Sequence, residues 1–244
     1  MIESKEIKYI YSLIKGDKLI NINNFIQKED FNSYIEFKDE QEITGIFMPL
    51  INIFTKETAP VLITALRKYT GASFKDINAI LRNNWDNEIN GEVDKEKIKE
   101  VSELTTNIEK AISLFPKTNK NFIVFRGVTI DAFKKYGVQN LNELNHLKEC
   151  FIYEDGFTST ALTKEASYFE TEIENHGTSN ILIKYYVPKE FNEGAPLISD
   201  ILSYKKEQLE FLLAKESLAK VLDIKISENK AIIETILIPK SIWK

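Results

Sequence analysis

The sequence predicts an α+β fold, and three observations carry that prediction. The first half places apolar residues at helical spacing, the second half runs short segments rich in Val, Ile and Phe, and the change between them comes once, after Pro116. In chain order, Ile7, Ile10 and Ile14 fall at helical spacing before charged and Asn-rich residues intervene. From Pro60, the residues Val61, Leu62, Ala65 and Leu66 predict a helix that ends near Gly71. Ser73, with Asp76 three residues on, predicts an N-cap close to a capping box for a helix whose apolar side carries Ile77, Ile80 and Leu81. A longer helix follows Asp94, with Ile98, Val101, Leu104, Ile108, Ile112 and Leu114 in phase, and Pro116 ends it.

The strands come next. Asn121 to Gly127, Gly156 to Leu162, Ile181 to Val187 (stopped by Pro188) and Gln208 to Leu213 each read as one strand. Val221 to Ser227 and Ala231 to Pro239 add two more, joined by a turn over Glu228, Asn229 and Lys230. This order predicts an antiparallel or mixed sheet, and neither a repeat nor a low-complexity tract interrupts it. A boundary falls near residues 55–60, dividing a helical extension, 1–58, from the main domain, 59–244, although no Gly/Ser/Pro-rich linker marks it.

Composition narrows the function. The 244 residues are 43% hydrophobic and 28% charged, enough to bury a full core without disulfides or metals. A net charge of -5 argues against duplex binding but leaves room for a local basic patch. A single cysteine, Cys150, excludes an internal disulfide framework and a multi-thiolate zinc site. Two histidines, His146 and His176, are too few for a histidine metal cluster, so no metal is expected. No apolar run is long enough to span a membrane. The first residues, MIESKEIKYIYSLIKGDK, carry charge throughout and do not read as a signal peptide. Retention in the cytoplasm, another export route and an already removed leader all stay open.

Four separated features bear on chemistry. Asn78 and Arg82 lie four apart on one helical face beside the apolar side; taken alone they read first as a solvated polar pair, with an anion clamp as the functional alternative. Arg126 and Gly127 end an apolar strand, where a charge needs a partner and a glycine lets a ligand approach the backbone. Phe157, Thr158, Ser159 and Thr160 place hydroxyls in a strand. Gln208 and Glu210 fall on one strand face by period 2, with Leu209 opposite, and Glu207 is out of phase with Glu210 and faces away.

Together the four features resemble the bacterial mono-ADP-ribosyltransferase toxins of the Arg–Ser–Glu type, most of all the Rho-modifying clostridial exoenzymes. The resemblance runs from about Leu66 to Pro239 through Tyr69 and Thr70, Ser73, Ile77 and Asn78, Leu81 and Arg82, Phe125 to Gly127, Phe157-x-Ser159-Thr160, and Gln208-x-Glu210-x-Leu212-Leu213. The family's Ser-Thr-Ser reads Ser159-Thr160-Ala161 here, and Ala214-Lys215 stands where the family often has Pro-Arg.

The resemblance implies a helical lobe packed on a mixed or antiparallel two-sheet β core with an NAD cleft. It implies an enzyme that cleaves nicotinamide from the ribose of NAD, its substrate, and transfers ADP-ribose to a target without a metal. It assigns Glu210 to the positive charge that develops on the ribose, and Ser159 to holding Glu210. Arg126 grips the phosphates, Gly127 offers backbone to the nicotinamide amide, and Asn78, Arg82 and Thr70 complete the NAD contacts from the helical lobe. Tyr204 and Gln208 meet the acceptor; a Gln-x-Glu pair goes with asparagine or glutamine-like amides rather than arginine, and in some relatives with guanine. A protein acceptor, such as a small GTPase in a target cell, is therefore expected, with a separate delivery partner. A nucleic-acid acceptor, plain NAD hydrolysis and a non-catalytic interaction module remain the alternatives.

Overall fold

The computed structural model describes residues 4–82, 95–173 and 177–244. The predicted starting point of the long helix, Asp94, and His176 lie outside the described residues.

Among the described residues six helices come first: α1 (Lys5–Leu13), α2 (Asp17–Gln27), α3 (Glu40–Glu57), α4 (Pro60–Lys68), α5 (Phe74–Leu81) and α6 (Lys95–Leu114). Ser4 caps α1 by accepting the Ile7 amide at 3.1 Å. Asp39 caps α3 by accepting the Glu42 amide at 2.9 Å, while the Glu42 carboxylate accepts the Lys38 amide at 3.0 Å. Reciprocal capping therefore occurs at Asp39, and not at Ser73 as the sequence suggested. Ser73 is already helical and makes no side-chain cap, because α4 runs into a π turn, Tyr69–Ser73, with Gly71 at ψ -131 providing the bend into α5. Asp76 instead pairs with Lys97 of α6 at 2.9 Å.

The strands are β1 (Phe122–Val128), β2 (Phe151–Glu154), β3 (Thr158–Ala161), β4 (Glu172–Ile173), β5 (Gly177–Thr178), β6 (Ile181–Val187), β7 (Gly194–Leu197), β8 (Glu210–Leu213), β9 (Ser217–Ser227) and β10 (Lys230–Ile238). A short helix, α7 (Lys240–Trp243), closes the chain. Eight strands form a sheet in the order β2-β9-β10-β6-β1-β3-β8-β7, antiparallel except for β6 with β10. The remaining two, β4 and β5, form a separate antiparallel pair.

Continuity of the large sheet is weakest at β1–β3. Along its whole length β1 pairs with β6, from Phe122↔Val187 to Val128↔Ile181, but it meets β3 only at Phe125↔Ala161. Two half-sheets, of five and three strands, thus diverge past Phe125. That seam is the structural form of the expected two-sheet core.

The helices bury their apolar sides against the sheet. Ile43, Phe47, Ile51 and Phe54 are the buried positions of α3. Phe47 packs edge-on to Phe122 of β1, and Phe122 packs edge-on to Phe211 of β8, so one aromatic cluster ties α3 to both half-sheets. Ile35 forms a parallel bridge to Phe122. Residues on both sides of the expected 58/59 boundary therefore share one core.

Candidate active site

A cleft of about 460 Å³ opens where β1 and β3 separate, roofed by α5 and the turn that precedes it. The divergence itself sets the positions. Arg126 and Gly127 follow the last shared residue, Phe125, and therefore leave β3 and face the gap. Across it stand Ser159 of β3 and Glu210 of β8.

The register of the second wall explains its chemistry. Ala161 lies opposite Glu210 and Ser159 opposite Leu212, so Ser159 is the diagonal, same-face neighbour of Glu210. Glu210 is only 7% exposed. Burial pushes its carboxyl above the ordinary value, and the Ser159 hydrogen bond and the charge of Lys205 offset part of that rise. Tyr69 is buried beside the same group. Its hydroxyl accepts from Asn78 Nδ2 at 3.1 Å and hydrogen-bonds with Ser159. Burial and the Glu210 charge raise this phenol, which stays neutral.

Gln208 reaches the cleft by a different route from the one its sequence spacing suggested. It ends a 3-10 turn, Lys206–Gln208, and Leu209 adopts a left-handed φ of 48 before β8 begins at Glu210. Alternation along a strand therefore does not apply to the pair. The left-handed residue resets the chain direction, and both side chains still line the cleft. Gln208 Nε2 donates to the Tyr168 hydroxyl on the facing loop.

The opposite end of the cleft is cationic. Arg82, the residue after α5, lies 3.7 Å from the Glu154 carboxylate at the end of β2 and donates to the Phe157 carbonyl at 3.5 Å. Burial alone would raise Glu154. The charges of Arg126, Lys135 and Arg82 outweigh it and hold the carboxyl below its ordinary value. The sequence reading missed Glu154, whose partners come from three distant segments. Gly156 is a second omission: a Cβ there would sit 2.6 Å from Asn78 Oδ1 and 3.2 Å from Arg82 Nε. Its lack of a side chain lets the β2–β3 turn press against both residues.

Other expected residues fall as follows. Asn78 lines the cleft, and its Oδ1 is buried without a hydrogen-bond partner. Gly127 lines the cleft too, but the close approach it permits is the protein's own: a Cβ would meet Phe169 N at 2.5 Å and Ser179 Oγ at 2.7 Å. The Thr70 hydroxyl donates to the Arg67 carbonyl at 2.8 Å and accepts the Tyr204 amide at 3.0 Å, tying the rim loop to α4. Tyr204 is 59% exposed, with Arg67 stacked 4.5 Å from its ring centroid. No group of three or more His, Cys, Asp or Glu that could hold a metal occurs among the described residues.

A cationic end suited to a diphosphate, an unpaired buried amide oxygen and a shielded carboxylate fit a dinucleotide substrate such as NAD. Fold and cleft together define an NAD-dependent mono-ADP-ribosyltransferase. Residues 53–240 match the family model of the ADP-ribosyltransferase exoenzymes, and the chain belongs to that family. Solved structures share the fold. C3stau2 from S. aureus, determined with NAD, is 22% identical over 85% of this chain and 100% of its own, with a TM-score of 0.67. An ADP-ribosyltransferase from Clostridium botulinum is 23% identical over 84% and 98%, at 0.62. The Clostridium limosum C3 exoenzyme is 22% identical over 84% and 98%, at 0.63. No curated protein sequence matches the chain.

Proposed function

We propose that this enzyme transfers ADP-ribose from NAD to a side-chain amide of a protein, asparagine or glutamine rather than arginine. The observation that carries the proposal is the placement of Gln208 at the mouth of the cleft beside the buried Glu210. Glu210 supplies negative charge where positive charge develops on the ribose, an interaction stronger in the transition state than before it. Ser159 holds Glu210. Arg126 and Arg82 bind the diphosphate, Asn78 and Thr70 support NAD from the helical lobe, and Gly127 keeps the backbone close. Gln208 pairs with the acceptor amide, donor to acceptor, and the exposed Tyr204 contacts the acceptor protein.

A small GTPase inside a target cell is the acceptor class this reading favours. Entry into that cell then needs a delivery partner, and residues 1–58 serve as an extension folded onto the catalytic part, 59–244. Among the described residues no helix is long and apolar enough to cross a membrane.

Biotin-labelled NAD, added with the protein to a mammalian cell lysate, tests the reading. The expected result is a labelled protein whose modified residue, located by mass spectrometry, is asparagine or glutamine. Modification of arginine, label removed by nuclease, or nicotinamide release without any labelled product would each overturn the acceptor assignment. Loading the protein into cells by electroporation, against simple addition to the medium, tests the need for a delivery partner.

A further inference from the structure

Two residues with left-handed backbones, Tyr168 and Leu209, shape the two loops that meet at the cleft. Tyr168 follows a 3-10 turn, Glu165–Ser167, with φ 61, a conformation that bulky side chains rarely adopt. Its surroundings hold it there. Ser167 Oγ accepts the Phe169 amide at 3.4 Å, the Glu170 amide donates to the Ser179 carbonyl, and the Ser179 amide donates to the Thr171 carbonyl at 2.9 Å. Gly127 leaves the room that this segment fills. The strained turn carries a half-exposed phenol into the cleft, and its hydroxyl accepts from Gln208 Nε2. On the other side Leu209, at φ 48, turns Gln208 towards it.

We propose that the Tyr168 hydroxyl is the positioning group for Gln208 and fixes which end of its amide meets the acceptor. The proposal rests on Gln208 being the acceptor-binding residue. With one Nε2 hydrogen committed to Tyr168, the side chain is held in one orientation and its Oε1 carbonyl is free for the incoming molecule. The cleft then selects an acceptor that brings an N–H donor, and the hydrogen bond aims that nitrogen at the ribose beside Glu210. Without the phenol hydroxyl the amide rotates freely and presents donor and acceptor ends alike. Tyr168 thus acts on transfer through Gln208.

The test compares wild type, Tyr168→Phe, Gln208→Ala and the double variant. Incorporation of biotin-labelled NAD into lysate protein measures transfer, and nicotinamide release without lysate measures cleavage. Tyr168→Phe is expected to lower the ratio of transfer to cleavage roughly 3- to 10-fold, the value of one neutral hydrogen bond. That loss should vanish in the Gln208→Ala background, since the partner is gone. An equal loss in both backgrounds overturns the proposal. So does an unchanged ratio in Tyr168→Phe when Gln208→Ala lowers it, and in that case the assignment of Gln208 survives. If Gln208→Ala lowers cleavage and transfer alike, the assignment fails and the proposal falls with it. A second measurement needs no acceptor. In a ¹⁵N–¹H spectrum of the full chain, the Gln208 side-chain amide (identified by its loss in Gln208→Ala) should shift towards free-glutamine values in Tyr168→Phe. A resonance that stays in place overturns the contact.

Discussion

Glu210 lines the cleft while Glu154 lies behind it against the cleft residue Arg82, and their surroundings treat a carboxylate in opposite ways. At Glu154 the charges of Arg126, Lys135 and Arg82 overcome the effect of burial and keep the group ionised. At Glu210 burial dominates, relieved only in part by Ser159 and Lys205. Glu154 pairs with Arg82, which lines the cleft. At Glu210 the offsets to burial are the Ser159 hydrogen bond and the charge of Lys205, which leave the carboxyl raised. The comparison teaches how one cleft separates binding from chemistry. On the proposed reading, the cationic end takes up phosphate, and Glu210 meets the charge that develops as the bond to nicotinamide breaks.

Removing Glu210 should break the comparison most severely. Glu210→Ala is expected to lose about 10²–10³-fold in nicotinamide release and in transfer, the usual cost of one preorganised electrostatic group. Near-normal turnover in a folded variant would move the chemistry elsewhere. Next come the arginines. Arg126→Ala and Arg82→Ala should each weaken NAD binding by about 1.5–3 kcal/mol, as expected for a charge-assisted contact, and calorimetric titration reads this directly. Unchanged affinity in both would remove the phosphate role.

The pH dependence sharpens the contrast, because the two groups have opposite signs. Glu154 is lowered in the folded protein, so its contribution to stability is present above the unfolded value of 4.5 and is lost as pH falls through the lowered value. Glu210 is raised, so stability is greatest below 4.5 and declines as pH rises through the raised value. Thermal unfolding followed against pH should show Glu154→Gln losing the acid-side dependence and Glu210→Gln losing the other. With Glu210 in the proposed role, catalysis follows its ionised form, so nicotinamide release should fall on acidification at a pH above the ordinary carboxylate value. The smallest expected effect is that of a chelator: EDTA should leave activity unchanged, since protein charges carry the reaction. Activity lost with EDTA and restored by one divalent metal would contradict this.

The strands of the larger half-sheet were the most legible part of the sequence, except β2 (Phe151–Glu154), which was not predicted from the sequence. β6 reads directly from Ile181 to Val187 because five of its seven residues are β-branched or aromatic and Pro188 stops it. β9 and β10 announce themselves through alternating apolar runs, although the turn is tighter than expected, Lys230 already pairing with Ser227. β7 gave no signal, since Gly194 and Pro196 are poor strand formers, and the strand survives at the sheet edge where a missing N–H is tolerated. α2 was hidden by Asn21, Asn23 and Asn24, which favour turns over helix interiors; tertiary packing of the buried Ile22 overrides that preference. Within the site, motif residues on β1 and β3 could be placed from sequence because each sits in or beside a strand. Glu154 and Tyr168 could not. Their importance comes from Arg82 and Gln208, contacts far apart along the chain, and neither belongs to a motif with its partner.

The most direct test of this division of labour crosses the two ends of the cleft in one experiment. NAD affinity and nicotinamide release are measured on the same samples of wild type, Glu210→Gln and Arg126→Ala. The account predicts that Glu210→Gln binds NAD close to normally yet releases nicotinamide at least about 100-fold more slowly. Arg126→Ala should show its main loss in affinity. If instead Glu210→Gln loses NAD binding while its bound substrate is cleaved at the normal rate, Glu210 is a binding group and the central claim is wrong.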